Sequence, residues 1–168
     1  MIKGTSRYPL FLPLILIAML TSSCGRNIVF SDASEMKGEK WKLDNVVRFE
    51  AEIEDTISSN NIFFTVRTGT SYPYRNIWLF VSTTAPSGKT ATDTLQFMLA
   101  DEKGNRYGKG FGDIRELRLP FRSVVYFPEK GKYQFSIMQG MRNEELDGVY
   151  DFGLIIEKLK SGRKGGKE

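Results

Sequence analysis

The residue whose side-chain chemistry stands out in this 168-residue sequence is Cys24, the only cysteine. It follows a basic start, an apolar run over residues 8–20 and small hydroxylated residues at 21–23. A charged start, a brief apolar core and small residues before a cleavage point are typical of a secretory signal peptide. The core is shorter than the roughly 20 apolar residues that a membrane-spanning helix needs. We therefore predict that residues 1–23 are a signal peptide.

The position of Cys24 directly after this signal core resembles the bacterial lipobox, in which the cysteine is diacylated and becomes the new first residue. The match is loose, because Leu20 lies four positions before Cys24 and Thr21 holds the place where leucine is commonest. A single cysteine also excludes an intramolecular disulfide. Two acyl chains hold a protein stably on a membrane, whereas one holds it only marginally. We predict lipidation at Cys24 and a lipid-anchored mature chain.

Histidine is absent from the sequence, which limits the catalytic and metal-binding chemistry that the chain can carry. Neither a Ser-His-Asp nor a Cys-His nucleophilic site can form, and the commonest zinc ligand is missing. Two carboxylates about 5–10 Å apart could hydrolyse a glycoside, but most acidic residues here lie beside turns, where aspartate is favoured for backbone reasons. The carboxylates considered are Asp93, Asp101, Glu102, Asp113, Asp147 and Asp151. The calcium-binding pattern D-x-D-x-D-G does not occur either. From these observations together, we predict no enzymatic activity, no cofactor and no metal site.

The net charge of +4 at pH 7 is concentrated at the two ends of the sequence. Lys3 and Arg7 lie in the predicted signal peptide, and residues 158–168 hold five basic residues against one acidic residue. The remainder, residues 24–157, is therefore net acidic and has no excess of positive charge for phosphates. We predict no nucleic-acid partner. Residues 161–168 contain no apolar side chain and are predicted to form a disordered basic tail.

Apolar residues recur at every second position through much of the mature chain, which is the period of a half-buried β-strand. Residues 47–54 are the clearest case, with apolar residues at odd positions and charged residues at even positions. Two stretches, 77–81 and 154–156, are apolar on both faces. We predict that they are central strands, covered on both sides or at a dimer or partner surface.

Turn-forming residues separate these strands at fairly even intervals, which favours an antiparallel sandwich over a parallel sheet with helical crossovers. We predict one all-β domain over residues 24–160, a single antiparallel β-sandwich that is jelly-roll-like or immunoglobulin-like. Within it, Asp32 followed by Glu35 and Asp113 followed by Glu116 have the spacing of helix caps and predict two short helical turns.

Five segments of the mature chain carry recognisable motifs. They are YPYRNIWLFV at 72–81, TDTL at 92–95, GKGFGD at 108–113, FPEKGKY at 127–133 and GLIIEK at 153–158. In this order and behind a lipobox, they resemble the GldH family, the gliding-motility lipoproteins of Bacteroidetes, over nearly all of the mature chain. The resemblance implies an envelope lipoprotein needed for surface gliding, a motility associated in these bacteria with type IX secretion. The resemblance implies no catalytic residues. The partners that it implies for the protein are the membrane, through the lipid anchor, and other proteins of the envelope or the gliding machinery.

The short stretch after the predicted lipidation site bears on where the protein resides. Residues 25–27, Gly-Arg-Asn, lack the acidic cluster that often directs lipoproteins of these bacteria to the cell surface. There is almost no linker between Cys24 and the first apolar residues of the domain, which is therefore expected to sit close to the membrane. Together with the resemblance, this start predicts a lipid-anchored protein of the outer membrane, on its periplasmic face.

The glycine-rich segment 108–112 lacks the helix that follows a phosphate-binding loop, so its glycines are predicted to serve a tight turn or bulge. Its prominence in the resemblance nevertheless makes it a candidate contact loop. The candidate contact residues are Tyr72, Tyr74, Lys109, Phe111 and Asp113.

Aromatic residues leave open an alternative function, a glycan-binding envelope lipoprotein. Tyr72 and Tyr74 flank a proline at the start of a predicted strand and are expected to lie on the surface. Trp41 and Trp78 are the further aromatic candidates, although Trp78 lies inside an apolar strand and is predicted to belong to the core.

Overall fold

The polypeptide forms ten β-strands, all paired antiparallel, in a computed structural model that describes residues 27–159. The predicted signal peptide, Cys24 and the predicted basic tail lie outside the described residues. The strands are β1 (Ile28–Glu35), β2 (Lys40–Lys42), β3 (Val47–Ile53), β4 (Asn60–Thr68), β5 (Asn76–Thr84), β6 (Thr90–Met98), β7 (Arg115–Val125), β8 (Gly131–Gln139), β9 (Glu145–Asp147) and β10 (Val149–Lys158). Residues 27–159 contain one 3₁₀ turn, Lys37–Glu39, and no helix able to cross a membrane.

Strand β3 shows how the period-two pattern determines burial. Its four apolar residues are buried and the three charged residues between them are exposed. Successive side chains of a strand point to opposite faces, so such a strand presents one apolar face that another layer must cover. The same alternation, with partly buried residues between the buried ones, occurs in β4.

Two four-stranded sheets supply the two layers, with strand orders β1-β10-β4-β7 and β3-β8-β5-β6. Apart from the short β2 and β9, the strand pairing is nested. The first long strand pairs with the last, the second with the second-last, and so on inward to the β5–β6 hairpin. This is the connectivity of a jelly roll, whereas an immunoglobulin domain has its first two strands in one sheet. The predicted antiparallel β-sandwich is confirmed, in its jelly-roll-like form.

The core between the sheets is centred on Phe64 of β4, which has no exposed surface. Its ring stacks on that of Phe121, with centroids 4.8 Å apart, and lies 5.3 Å from the ring of Phe152. Its ring also meets the ring of Phe97, which belongs to the opposite sheet, in an edge-to-face arrangement with the centroids 6.5 Å apart. Such aromatic pairs add to the stabilisation from buried area. Phe64 therefore connects three strands of one sheet with β6 of the other.

A two-stranded ribbon of β2 and β9 packs over one end of this core. Trp41 and Leu146 face each other across the ribbon, and both are fully buried. The indole ring of Trp41 lies 4.9 Å from the ring of Phe152, and its Nε1 donates to the carbonyl oxygen of Asn45 at 2.9 Å. Trp41 is therefore a core residue and offers no surface to a ligand.

The described chain begins and ends at the same end of the sandwich, which we call the proximal end. The backbone N–H of Lys158 donates to the carbonyl oxygen of Asn27 at 2.7 Å, and that of Leu159 donates to Ser59 at 2.8 Å. The connections 54–59, 85–89 and 126–130 lie at this end.

The opposite end, which we call the distal end, carries the longer connections. In the sheet register, Thr68 at the end of β4 lies opposite Arg115 at the start of β7 and Val149 at the start of β10. The three connections 69–75, 99–114 and 140–148 therefore meet at the distal end. The strands between the two ends are mostly eight to eleven residues long. At about 3.3 Å per residue, they separate the two ends by roughly 30 Å.

Both predicted helical turns are wrong. Residues 32–35 belong to β1, where β10 supplies the hydrogen-bonding partners of the backbone. Glu116 belongs to β7 and exchanges two backbone hydrogen bonds with Lys109, of 2.7 and 3.0 Å. In both places the sheet ladder outweighs the local tendency of acidic side chains to cap a helical turn.

Candidate functional site

The glycine-rich segment forms a narrow loop at the distal end, between β6 and β7. The two backbone hydrogen bonds between Lys109 and Glu116 close it at its base. A Cβ atom on Gly108 would collide with the carbonyl oxygen of Glu116, and one on Gly110 would collide with that of Ile114. Gly108 also has a positive φ of 93°, which side chains disfavour. The glycines therefore serve backbone geometry, because they let the two arms of the loop approach each other.

Two arginines hold the carbonyl oxygens of this loop. Arg106 donates through Nη1 to Asp113 at 3.0 Å and through Nη2 to the carbonyl oxygen of Thr68 at 2.5 Å. Arg115 donates to the carbonyl oxygens of Gly112 and Ile114 at 2.7 and 3.0 Å. Burial, together with the nearby charge of Arg115, lowers the pKa of Arg106 from its usual value. The loop is thus fixed to the end of β4 by charge-assisted hydrogen bonds, which are stronger than neutral ones.

Phe111 lies at the tip of this fixed loop, and 98% of its surface is exposed. Lys109 and Asp113, on either side, are also exposed. A large exposed apolar side chain on a rigid support loses little conformational entropy when a partner covers it. Aromatic anchors of this kind often carry much of the binding energy of an interface. The loop can therefore present Phe111 to an apolar pocket of another protein.

The two tyrosines predicted to lie on the surface with this loop are placed differently. Tyr72 is only 9% exposed, and its hydroxyl donates to the carbonyl oxygen of Asn76 at 2.7 Å. Burial raises the pKa of Tyr72 above its usual value. Tyr74 is half-buried, and its hydroxyl donates to Oδ1 of Asn143 at 2.5 Å. The expectation of an exposed Tyr72 is wrong, because Tyr72 belongs to the hydrophobic core cluster.

Residues of two distal connections border a shallow depression beside the Phe111 loop. It encloses about 340 Å³ and is lined by Thr70, Asn105, Arg106, Gly112, Asp113 and Arg115. Asp113, one of the candidate contact residues, therefore lies next to the connection 69–75, which contains Tyr72 and Tyr74. Phe111, Lys109 and Asp113 therefore form one exposed group. The two tyrosines lie in the neighbouring connection and make their own hydrogen bonds, to Asn76 and Asn143.

Trp78 was expected in the core, and the structure corrects this. Ile77, Leu79 and Val81 of β5 are buried, whereas Trp78 is 39% exposed and Phe80 is 47% exposed. Strand alternation places these two rings on the outer face of the sheet. The prediction that β5 is covered on both sides by its own chain is therefore wrong, and the alternative, a dimer or partner surface, stays a prediction. Both line a groove of about 350 Å³ that Tyr74 and Met141 also border. The continuous apolar run over β5 indicates apolar side chains on both faces of the strand. It does not distinguish an outer face that another layer covers from one that is exposed.

A third group of exposed apolar residues lies at the proximal end and was not singled out from the sequence. Ile57 is 86% exposed, and Val124 and Tyr126 are also exposed. The turn that carries Ile57 is held by Asp55, which accepts backbone N–H groups at 2.9 and 3.0 Å and pairs with Lys158 at 2.5 Å. These contacts lower the pKa of Asp55, and the hydrogen bond from Lys158 has the largest effect. The only feature of the sequence that could have indicated this exposed group is an isoleucine, Ile57, within a polar connection between two strands.

The carboxylates considered for catalysis serve turns and ion pairs where their contacts are defined. Asp101 accepts three hydrogen bonds within its own turn, and these lower its pKa. Asp93 pairs with Arg122, Asp151 with Arg67, and Asp147 with Lys40. Among residues 27–159, no three acidic, histidine or cysteine side chains are grouped so as to hold a metal ion.

Comparison with known proteins identifies the family. The sequence matches the family described as GldH lipoprotein over residues 28–156. It is 36% identical over 152 residues to the gliding motility lipoprotein GldH of Flavobacterium johnsoniae, covering 86% of this chain and 94% of that protein. It is 34% identical over 151 residues to a GldH homolog of Christiangramia forsetii, covering 86% and 92%. The chain belongs to the GldH lipoprotein family.

Solved structures give a looser likeness. The VP2 subviral particle of infectious bursal disease virus overlaps 81% of this chain and 32% of its own, with 14% identity and a TM-score of 0.34. The Gx strain of that virus overlaps 82% and 32%, with 12% identity and a TM-score of 0.34. This chain thus spans about a third of those viral chains, and the overlap is too loose to support any conclusion about it.

Membership of the GldH lipoprotein family confirms the resemblance carried by the five motifs and supports a lipoprotein role in gliding motility. It also indicates a membrane-anchored protein of the cell envelope. The matched region, residues 28–156, includes the eight long strands of the jelly roll, except the last two residues of β10, and the Phe111 loop. The jelly roll and the Phe111 loop therefore both lie within the part of the chain that matches the family.

Proposed function

We propose that this GldH-family protein is a lipid-anchored component of the gliding machinery that acts by protein contact through Phe111 and has no enzymatic activity. Acyl chains on Cys24 hold it in the outer membrane, on the periplasmic face, and its work is associated with type IX secretion. The observation that carries the proposal is a phenylalanine that is 98% exposed at the tip of a loop held by Arg106 and Arg115.

The position of the chain start supports an orientation for this contact. Asn27, three residues after Cys24, lies at the proximal end of the sandwich. Three residues span at most about 11 Å, so a lipid on Cys24 places the proximal end at the membrane. The exposed Ile57 and Tyr126 then face the bilayer surface, where aromatic and aliphatic side chains are favourable. Phe111 points away from the membrane at the distal end, towards a partner.

The experiment is complementation of a gliding host that lacks its own copy. A Phe111→Ala variant is expected to restore less than about a tenth of the colony spreading of the unchanged protein, because truncation of a central aromatic anchor costs about 2 kcal/mol or more of binding energy. The protein level and the thermal unfolding temperature are expected to stay unchanged, since Phe111 contacts no core. Gly110→Ala, which displaces the loop backbone, is expected to reduce spreading as well.

Trp78→Ala is the matched comparison, because it removes another exposed aromatic side chain from a different face. It is expected to leave spreading intact. Normal spreading with Phe111→Ala would show that the loop is not the contact. If deletion of the protein itself left spreading and type IX export unchanged, the role in the gliding machinery would be wrong.

Glycan binding is retained as a second candidate function on one observation, the exposed pair Trp78 and Phe80. Their groove of about 350 Å³ is bordered by the amide side chain of Asn76, and aromatic faces beside hydrogen-bonding groups suit a sugar ring. Of the two tyrosines that first suggested this function, Tyr72 is buried and only Tyr74 borders this groove. Polysaccharide retention in affinity electrophoresis that is lost in Trp78→Ala would support this candidate, and absence of retention would remove it.

A further inference from the structure

The proximal end of the sandwich carries a large share of the exposed apolar surface. Of the eleven large apolar side chains that are exposed within residues 27–159, five lie there: Ile28, Val29, Ile57, Val124 and Tyr126. The last three, which we call the proximal apolar group, are 86%, 59% and 60% exposed. Apolar side chains that are exposed as a group mark an interaction site, whereas single ones need no explanation.

Neighbouring strand ends bring the proximal apolar group together. Ile57 lies in the connection that leads into β4, and Val124 and Tyr126 lie at the end of β7, which pairs with β4. The sheet continues from β4 through β10 to β1, where the described chain begins. Paired strands lie about 5 Å apart. The start of the chain and the proximal apolar group therefore share one end of one sheet, within roughly 15 Å of each other.

A bulge in β7 exposes Val124. At residues 123 and 124, β7 contains one residue more than the facing part of β4. Phe121 and Val125 pack against the core, and all three residues between them are exposed. Val124 also has a positive φ of 54°, which β-branched residues rarely adopt, and its N–H donates to Oδ1 of Asn61 at 3.0 Å. Bulges and strained conformations of this kind occur preferentially where a side chain is directed towards a ligand or partner.

The length of chain between the lipid and the fold limits what can cover this end. Cys24 lies three residues before Asn27, whose carbonyl oxygen is bonded to the end of β10. Three residues span at most about 11 Å. A folded domain of about 100 residues has a radius of gyration of about 13 Å, so it does not fit between this end and the bilayer that holds the lipid. The bilayer is therefore the surface that meets the proximal apolar group.

The charges at this end favour a bilayer with anionic headgroups. The carboxylate of Asp55 pairs with Lys158, and that of Glu129 accepts two hydrogen bonds from Ser87. The described chain leaves the proximal end at residue 159, and residues 160–168 contain four basic residues and one acidic residue. Lysine and arginine side chains next to a membrane are attracted to anionic lipids, over a distance of about a Debye length.

We propose that the proximal apolar group inserts into the headgroup interface of an anionic bilayer, and that the basic residues after β10 bind the lipid phosphates. Tyrosine and aliphatic side chains are favourable at that depth. The inference rests on the proposed function for the lipid on Cys24, and it adds a contact that the protein itself makes with the membrane. Because only three apolar side chains take part, this contact orients the anchored domain and does not replace the acyl chains.

The test uses the lipidated protein, methyl-labelled at isoleucine and valine, in nanodiscs of phosphatidylcholine and phosphatidylglycerol. One preparation carries a spin label on the lipid headgroup and another carries it on the acyl chain just below, and NMR measures the broadening of methyl signals. We expect the acyl-chain label to broaden Ile57 and Val124 at least about two-fold more than the headgroup label does. Ile114, at the distal end, should be broadened by neither. Stronger broadening by the headgroup label, or none by either label, contradicts insertion.

The lipid composition tests the preference for anionic headgroups. In nanodiscs of phosphatidylcholine alone, we expect the broadening of Val124 by the acyl-chain label to fall at least about two-fold. Replacement of the four basic residues of 160–168 by glutamine should have the same effect in the anionic nanodiscs. If the broadening is the same in both lipids and in this variant, the preference for anionic lipids is wrong.

A double variant, Ile57→Ser with Tyr126→Ser, tests the apolar contact itself. It is expected to stay in the nanodisc through its acyl chains, while the broadening of Val124 falls at least about two-fold. Leu43→Ser, at an exposed position beside the distal connection 140–148, is the matched control and should change nothing. An anchored double variant with unchanged broadening overturns the inference and leaves the proposed function intact. A protein that carries no acyl chains and does not enter the nanodisc overturns both.

Discussion

A Cys24→Ser variant is expected to leave the membrane fraction completely and to fail to restore gliding. The described residues contain no helix able to cross a membrane. In the proposed function, the acyl chains on Cys24 provide the attachment. Each buried methylene contributes about 0.8 kcal/mol, and two chains together hold a protein stably where one does not. Serine has no thiol to accept the lipid, and the loss of attachment should therefore be all or nothing. Fractionation of host cells and mass spectrometry of the N-terminal peptide measure it.

The control for this variant is Ser23→Ala, which changes the neighbouring small residue and keeps the thiol. It is expected to remain lipidated and membrane-bound. A Cys24→Ser protein that stayed in the membrane fraction and supported spreading would show that attachment does not depend on this residue. The placement of the proximal end against the bilayer would then lose its basis.

A Phe64→Ala variant is expected to lose about 3–5 kcal/mol of unfolding free energy, as for other fully buried phenylalanines. The substitution leaves a cavity among Phe97, Phe121 and Phe152, whose rings all pack on Phe64. These neighbours belong to both sheets and cannot all collapse into the space without shifting strands. Many domains are stable by only about 5–15 kcal/mol, so this loss removes a large share of the stability and should shift unfolding to a markedly lower urea concentration. Urea denaturation followed by tryptophan fluorescence measures the change.

Phe63→Ala is the matched control, since it removes the same side chain one position along β4. Phe63 lies on the opposite face, with the guanidinium of Arg118 3.8 Å above its ring. Phe63 is only partly buried, and loss of a surface cation–π contact costs about 0.5–1 kcal/mol, so this variant should lose much less stability than Phe64→Ala. Equal losses for the two variants would contradict the assignment of Phe64 to the centre of the core.

The strands could be predicted from the sequence because their signal is local. The alternation over residues 47–54 needs only the two faces of a half-buried strand, and β3 follows it residue by residue. The evenly spaced turns indicated a sandwich, but the choice between jelly roll and immunoglobulin forms depends on which distant strands pair. That pairing is set by contacts across the whole chain, such as β1 with β10.

The candidate site was predicted in part, and the errors have a common cause. Phe111 was named because its segment is prominent in the resemblance to the GldH family, whereas the glycines around it predicted only a tight turn or bulge. Tyr72 and Trp78 were both misplaced, since their environment depends on remote segments. Tyr72 packs into the core cluster, and within residues 27–159 no layer covers the outer face of β5 at Trp78. Residue type and spacing do not contain that information.

The central claim is that the jelly roll holds Phe111 away from the membrane in which Cys24 is anchored. Because the proposed acylation of Cys24 would consume the only native thiol, a cysteine introduced in place of Ile57 or Phe111 could then be labelled uniquely with a fluorophore. The lipidated protein is placed in vesicles that contain a spin-labelled lipid, and quenching is compared at the two positions. We predict strong quenching at 57, at the proximal end, and little at 111, roughly 30 Å away. Equal quenching at both positions, or stronger quenching at 111, would contradict the claim.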